Sequence, residues 1–277
     1  MPTERQEKRM NLLLAINIAP DLGMLTTHDW MPDEQLQIDT RFIRRQLSGY
    51  DECAAEMVLM LRDAMALNLS VLTIADATVD PVLKQLLALE YQQAVRITPP
   101  AEWDLRFNSM AVAALIAAYQ QQIATQSVIV MGKQSIEGQN GQTALLLAEY
   151  LNWPCITGVC QLAPAVEAGA LQVTRQTAYG MEVMTVMPPM VLVVGNAQQA
   201  SALRVPTLKQ KLAAAKRQVC SLTPGELGIS ALPASHVQLG GLTPIAHRRA
   251  GVMIEGESVA QKVQRLCQEY LTARWSL

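Results

Sequence analysis

SVIVMGKQSIEGQNGQTALLLAEYL, residues 127–151, decides the fold class of this 277-residue chain. Its first five residues form an apolar run, the pattern of a strand buried on both faces. Residues 132–143, GKQSIEGQNGQT, hold three glycines, and a helix is expected to cover 145–151. Strand, glycine-rich loop and helix in that order put the loop in the crevice where open α/β sheets bind ligands. Gly132, Gly138 and Gly141 let the backbone approach a ligand or turn left-handed. Free N–H groups at the start of the following helix, near Gly141, Gln142 and Thr143, would face a phosphate. The loop is not GxxxxGK[ST], because Lys133 directly follows Gly132, and it is not GxGxxG, so the motifs of ATP hydrolysis and classical NAD binding are missing. Two readings stand on pattern alone: a nucleotide or phosphate site, or a βα loop that only turns a corner. Glu137 weighs against direct phosphate contact unless its carboxylate points away.

Working outward, strands are expected at 12–18, 70–75 and 94–98, and helices at 51–67, 80–89 and 109–122. This alternation predicts an α/β fold, a mostly parallel sheet with helices on both faces. After Pro154 the texture changes to strand-like runs at 156–161, 170–176, 182–187 and 190–194, separated by glycines and the Pro188-Pro189 pair. Some of these form small antiparallel additions at the sheet edge, while 190–194 is apolar enough to return to its centre. Beyond 198 come a polar, basic connection, an extended tail and a final helix at 258–271, with Val259, Val263, Leu266 and Tyr270 on one stripe. The expected division is 11–200 as the α/β nucleotide-binding domain and 201–277 as partner-recognition loop, extended connection and C-terminal helix. A tail of this composition is a poor independent domain, so it is expected to pack on a partner or on the first domain.

Composition narrows the function. A net charge of −2 gives nucleic acid no general attraction, and no apolar run approaches the roughly 18 residues that span a bilayer. The first ten residues are charged, unlike a signal peptide. Five cysteines, an odd number, point to reduced thiols and a cytoplasmic setting. His28, His236 and His247 lie far apart and Cys155 and Cys160 are not at ligand spacing, so no metal site is expected. No GxSxG elbow occurs, and no catalytic residue is assigned; the chain reads as a component rather than a stand-alone enzyme. Two further segments stand out. Ser48, Gly49, Tyr50 and Asp51 precede a helix, where they either offer helix-end N–H groups and a ring to a cofactor or form a capping turn. Between Glu182 and Glu226 there is no acidic residue, while Arg204, Lys209, Lys211, Lys216 and Arg217 cluster. That cluster is either a contact surface for an acidic partner or a solvated face.

The block GKQSIE…QT, continued by Leu147-Ala148-Glu149-Tyr150-Leu151-Asn152-Trp153-Pro154, resembles the stretch GKQxID…QTG…AxxLxWP of the electron transfer flavoprotein beta subunit family, in its bacterial FixA-like form. Asp51-Glu52-Cys53-Ala54-Ala55-Glu56 is similar to that family's DExAxE. Arg204, Leu208, Ala214 and Lys216 resemble its basic loop, and Pro224 to Gly228 and Arg249 to Val252 resemble its tail. The resemblance implies an adenine nucleotide alpha hydrolase-like fold and a heterodimer with an alpha-type subunit that holds FAD. It also implies that the pair carries electrons from a dehydrogenase to a membrane or soluble acceptor such as a quinone oxidoreductase, without membrane insertion of its own. The beta-type chain would bind AMP or, in bifurcating members, a second FAD. Carried over by position, Ala15, Ser48, Gly49, Tyr50, Asp51 and Ile74 would line the nucleotide. Gly132, Lys133, Gln134 and the backbone of Gly138, Gln139, Asn140, Gly141, Gln142 and Thr143 would hold ribose and phosphate. Arg204, Leu208, Lys209 and Lys211 would meet the dehydrogenase, with Leu208 at the tip of the loop. Departures from the family pattern are Glu137 for Asp, Gln139 for a second Asp, Ser48-Gly49-Tyr50 for Asn-Pro-Phe, and Glu90-Tyr91-Gln92 for Gly-Ala-Asp. Two other classes stay open: a nucleotide-binding structural or sensing protein without redox coupling, and a stand-alone nucleotide-dependent enzyme.

Overall fold

The strand β1, Met10–Ile16, alternates its side chains between two cores. Leu12, Leu14 and Ile16 enter one, Leu13 and Ala15 the other. A strand that is apolar and buried at every position from Leu12 to Ile16 needs cover on both faces, and helices supply it. The computed structural model describes all residues except 1–8, 27, 125, 137, 198–199, 201, 234, 236, 238, 244–250 and 273–277. The chain divides into units of residues 1–240 and 241–277.

In the first unit β1 pairs in parallel with β4 (Leu67–Ile74) and β6 (Val128–Gly132). Beyond β4 lie β5 (Gln93–Ile97) and the short β11 (Cys220–Leu222); beyond β6 lie β10 (Met190–Val194) and β7 (Cys155–Pro164). All seven are parallel, and β8 (Leu171–Thr177) and β9 (Gly180–Val186) extend the sheet by antiparallel pairing. The expected edge hairpins and the return of 190–194 to the centre are both present. A separate two-stranded sheet joins β2 (Ile18–Pro20) to β3 (Arg45–Leu47).

One face carries α1 (Gly49–Ala64) and α2 (Asp80–Ala88), the other α3 (Ser109–Gln122) and α4 (Thr143–Leu151). Each fully buried Leu or Val in these layers contributes about 1.5–3 kcal/mol, so the sheet order is firmly held. The structure differs from expectation at 201–217, where a helix, α5 (Leu208–Ala215), replaces the polar connection. It starts on a capping box: Thr207 Oγ1 accepts the Gln210 N–H at 3.3 Å, and Gln210 Oε1 accepts the Thr207 N–H at 2.8 Å. The signal Thr-x-x-Gln is visible in the sequence, but basic composition masked it. Ala214 packs α5 into the first core.

In the second unit the final helix is α6 (Val259–Arg265), started by Ser258, with a π-helical turn over Leu266–Leu271. Its stripe of Val259, Val263, Leu266 and Tyr270 is exposed. Glu137, His236, His247, Arg249 and Ala250 lie outside the described residues.

Candidate functional site

Five parallel strands, taken in chain order, lie side by side as third, second, first, fourth and fifth. The order reverses between β1 and β6. Loops leave in opposite directions at such a point, and the crevice they open is where a doubly wound sheet binds ligands. A cleft of about 960 Å³ occupies this place. Ala15 and Ile74 end the adjacent strands β1 and β4 and line it, while Gly132, Lys133 and Gln134 continue the wall from β6. Asn140, Gly141 and Thr143 close it from the start of α4.

The loop between β6 and α4 is shaped by left-handed backbone: φ is +65° at Gly138, +46° at Gln139 and +64° at Gly141. A Cβ on Gly138 would lie 2.9 Å from the Arg106 carbonyl oxygen, so glycine is needed there for space as well as for conformation. Asn140 Oδ1 accepts the Gln142 N–H at 2.9 Å, which fixes the last turn before the helix. The start of α4 itself has no side-chain cap, and its first residues Thr143 and Ala144 face the cleft. An uncapped helix start presents unpaired N–H groups and partial positive charge, the requirements for a phosphate or carboxylate.

At α1 the situation is reversed. Ser48 caps the helix by accepting the Asp51 N–H at 3.0 Å and donates its hydroxyl to Asp51 Oδ2 at 2.7 Å. Asn17 N–H, beyond the end of β1, reaches the same carboxylate at 3.4 Å, and Gly132 on β6 packs against it. Burial pushes the Asp51 carboxyl up to about 7, against the Ser48 and Asn17 bonds that favour its charged form. Gly132 is required here as well, since a Cβ would stand 2.7 Å from Asp51 Oδ1.

The structure therefore divides the residues expected at one site. Asp51 joins the cleft residues, but Ser48 is buried beneath as a cap. Ser48, Gly49 and Tyr50 line a smaller hollow of about 540 Å³ with Gln134, Gln139 and Cys53. Tyr50 thus faces a hollow on the protein surface and does not fill the core. Gly138 and Gln142 shape the loop without lining either space. Sequence reasoning missed Asn17, Thr73, Asp76, Arg45 and Trp103, which also line the cleft. Asp76 had a signal: an acid just beyond the strand next to the central one is where doubly wound sheets hold a ribose hydroxyl.

The basic segment is likewise divided. Leu208 opens α5 and is 73 % exposed, with Lys209 and Lys211 exposed beside it. Leu212, one turn on, and Val205 are exposed too, so the apolar patch is larger than a single leucine. Arg204 is turned inward: it pairs with Glu56 at 2.7 Å and with Asp63 at 2.7 Å, both on α1. Among the described residues, no group of His, Cys, Asp and Glu could hold a metal ion, and no helix is long and apolar enough to cross a membrane.

The sheet order, the crevice at its reversal and the open start of α4 define a doubly wound α/β protein with a cleft at the switch point. Residues 35–226 match the electron transfer flavoprotein domain. The chain is 35 % identical over 268 residues to "Putative electron transfer flavoprotein subunit YgcR" of Escherichia coli (strain K12), covering 96 % of this chain and 99 % of that one. It is 24 % identical over 228 residues to electron transfer flavoprotein subunit beta of Bradyrhizobium diazoefficiens, covering 82 % and 86 %. With the human subunit beta it shares 23 % over 215 residues, covering 77 % and 81 %. The chain belongs to the electron transfer flavoprotein beta subunit family.

Proposed function

We propose that this chain binds AMP in its cleft and pairs with an alpha-type subunit that holds FAD. The pair takes electrons from a dehydrogenase and delivers them to an acceptor such as a quinone oxidoreductase, in the cytoplasm. The flavin supplies the one- and two-electron chemistry when bound, and this chain holds a nucleotide and offers docking surface. One observation carries the reading: an uncapped helix start, shaped by left-handed glycines, opens into a cleft where the strand order reverses. The nucleotide phosphate sits at Thr143 and Ala144, Asn140 and Gly141 close over it, and Ala15 and Ile74 take the base. Asp76 suits the ribose hydroxyls. Leu208 and Leu212 form the anchor for the dehydrogenase, with Lys209 and Lys211 as rim charges that speed encounter.

Denaturing the purified protein and analysing the released small molecules should give AMP in about equal amount to the chain, with a larger flavin-bearing chain copurifying. Release of FAD from the isolated chain would make it the bifurcating kind. A protein that carries no nucleotide and is not stabilised by added AMP, ADP or FAD would refute the site. Dehydrogenase turnover by the isolated chain with free flavin, at the rate of the pair, would refute the carrier role.

A further inference from the structure

The connection between β2 and β3 contains a tight turn, residues 32–38, whose Gln35 and Gln37 line the cleft. The turn carries its own framework. Asp33 N–H donates to the Gln37 carbonyl at 2.8 Å, and the Asp33 carboxylate accepts the N–H groups of Gln35 and Gln37 at 2.9 and 2.8 Å. Pro32 and Ile38 bridge its ends. A turn closed by its own bonds can move as one piece. Leu36, inside it, has a φ of +56°, left-handed backbone that leucine rarely adopts, and its carbonyl accepts from Arg106 Nη1 at 3.1 Å. Arg106 belongs to the connection from β5 to α3, which lines the cleft with Trp103, Leu105 and Arg106. Its guanidinium is aimed by Asp104, which accepts from Nε at 3.0 Å and from Nη2 at 2.8 Å. Its carbonyl oxygen abuts Gly138, where a Cβ would lie 2.9 Å away. Strands β1 and β5 flank β4, whose last residues Leu72, Thr73 and Ile74 line the cleft as well. The Arg106–Leu36 bond, across 70 positions, therefore joins chain that leaves the sheet on either side of β4. Holding the turn in shape does not require that bond, since Asp33 already closes the turn from within.

We propose that the turn at 32–38 is a lid on the cleft and that Arg106 is its latch, so that the Arg106–Leu36 bond sets how fast a bound nucleotide exchanges. The proposal rests on the reading of the cleft as an adenine nucleotide site. The latch joins two groups of the protein and no atom of the ligand. Breaking it lowers the cost of opening in the free and the bound protein alike, so entry and exit quicken by the same factor and the equilibrium affinity stays as it was. A ligand contact behaves differently: its loss speeds exit, leaves entry unchanged and weakens affinity. One hydrogen bond from a charged donor is worth roughly tenfold or more in rate when opening must break it.

The test compares the purified protein with Arg106→Met, which removes the latch, and Asp33→Ala, which removes the framework of the lid at a residue outside the cleft lining. Each is loaded with tritiated AMP and chased with excess unlabelled AMP, and release is followed by rapid filtration. Uptake is timed in the same way, and equilibrium dialysis gives the dissociation constant. Arg106→Met should release AMP about tenfold faster or more and take it up faster by a similar factor, with the dissociation constant within about twofold of the unaltered protein. Asp33→Ala should quicken both steps as well. If Arg106→Met does not fold, Asp33→Ala alone decides the matter. Release at the original rate in the folded variants overturns the latch and leaves the nucleotide site standing. Faster release from Arg106→Met with unchanged uptake and a weaker dissociation constant also overturns it, and makes Arg106 a ligand contact. An unaltered protein that binds no AMP overturns the reading of the cleft as an AMP site and the latch with it, and the failures are thereby distinguished.

Discussion

Gly132→Ala tests the packing at the cleft floor. Gly132 ends β6, where a residue with a side chain would ordinarily be favoured: glycine in a strand costs roughly 0.5–1 kcal/mol relative to alanine. On propensity alone the substitution stabilises. The structure reverses the sign. The new Cβ would lie 2.7 Å from Asp51 Oδ1, 3.0 Å from Asp51 N and 3.0 Å from Tyr50 C. A flexible carboxylate could swing aside, but the other two contacts are backbone at the start of α1, and that helix is held by a buried apolar face. Relief requires α1 to move away from β6, an overpacking that costs typically 1–3 kcal/mol. The expected net loss is therefore about 1–2 kcal/mol, read as a lower urea midpoint at unchanged slope. Nucleotide content should fall with it, because Asp51, bonded to Ser48 and Asn17 and packed against Gly132, forms the floor of the cleft. Gly49→Ala is the control: one residue into α1, its Cβ meets nothing within 4 Å, and helix propensity predicts a gain of up to about 1 kcal/mol. If Gly132→Ala proved as stable as the unaltered protein, the close approach of α1 and β6 would be wrong.

The buried Asp51 makes stability depend on pH. Its folded value of about 7 lies above the usual 3.8, so the folded state holds the proton that the unfolded chain has lost, and stability falls as pH rises from about 4 to 7. The fall is on the order of 4 kcal/mol at most, and Asp51→Asn should flatten that slope in urea titrations run at stepped pH. Arg204→Met leaves Glu56 buried without its partner and should cost on the order of 1–2 kcal/mol, between the ranges for surface and buried pairs, in the same assay. Leu208→Ala and Leu212→Ala should each weaken binding to the donor dehydrogenase about tenfold with nucleotide content unchanged, since burying such a side chain is worth roughly 1.5–3 kcal/mol. Rates measured at subsaturating protein check this, and an unchanged rate in both variants would give the patch another role.

The layers of this fold were legible in the sequence because β1, β6 and β10 are covered on both faces, which writes them as unbroken apolar runs. The loop at 132–143 was legible for a similar reason: its glycines mark left-handed turns that other residues avoid, and two of the three have positive φ. What escaped the sequence depends on contacts between distant residues. The pattern Ser48-x-x-Asp51 shows a cap, but its further bond to Asn17 crosses 34 positions. Arg204 resembles its neighbours in composition, and only a contact across 148 positions turns it inward to Glu56. Leu212 joined the exposed apolar patch only once 208–215 proved helical, which sets it one turn from Leu208 on the same face.

These contacts give α1 a double role. Its first turn carries Asp51, which ties the ends of β1 and β6 at the floor of the cleft. Its middle and last turns carry Glu56 and Asp63, which hold Arg204 and with it the approach to α5. Sixteen residues of helix span about 24 Å, and buried Ala54, Val58 and Leu61 fix the helix against the sheet between these ends. A packed helix transmits displacement because interiors are as dense as organic crystals and cannot absorb a shift locally. Loosening the cleft floor is therefore expected to shift Glu56 and Asp63, and with them Arg204 at the approach to α5.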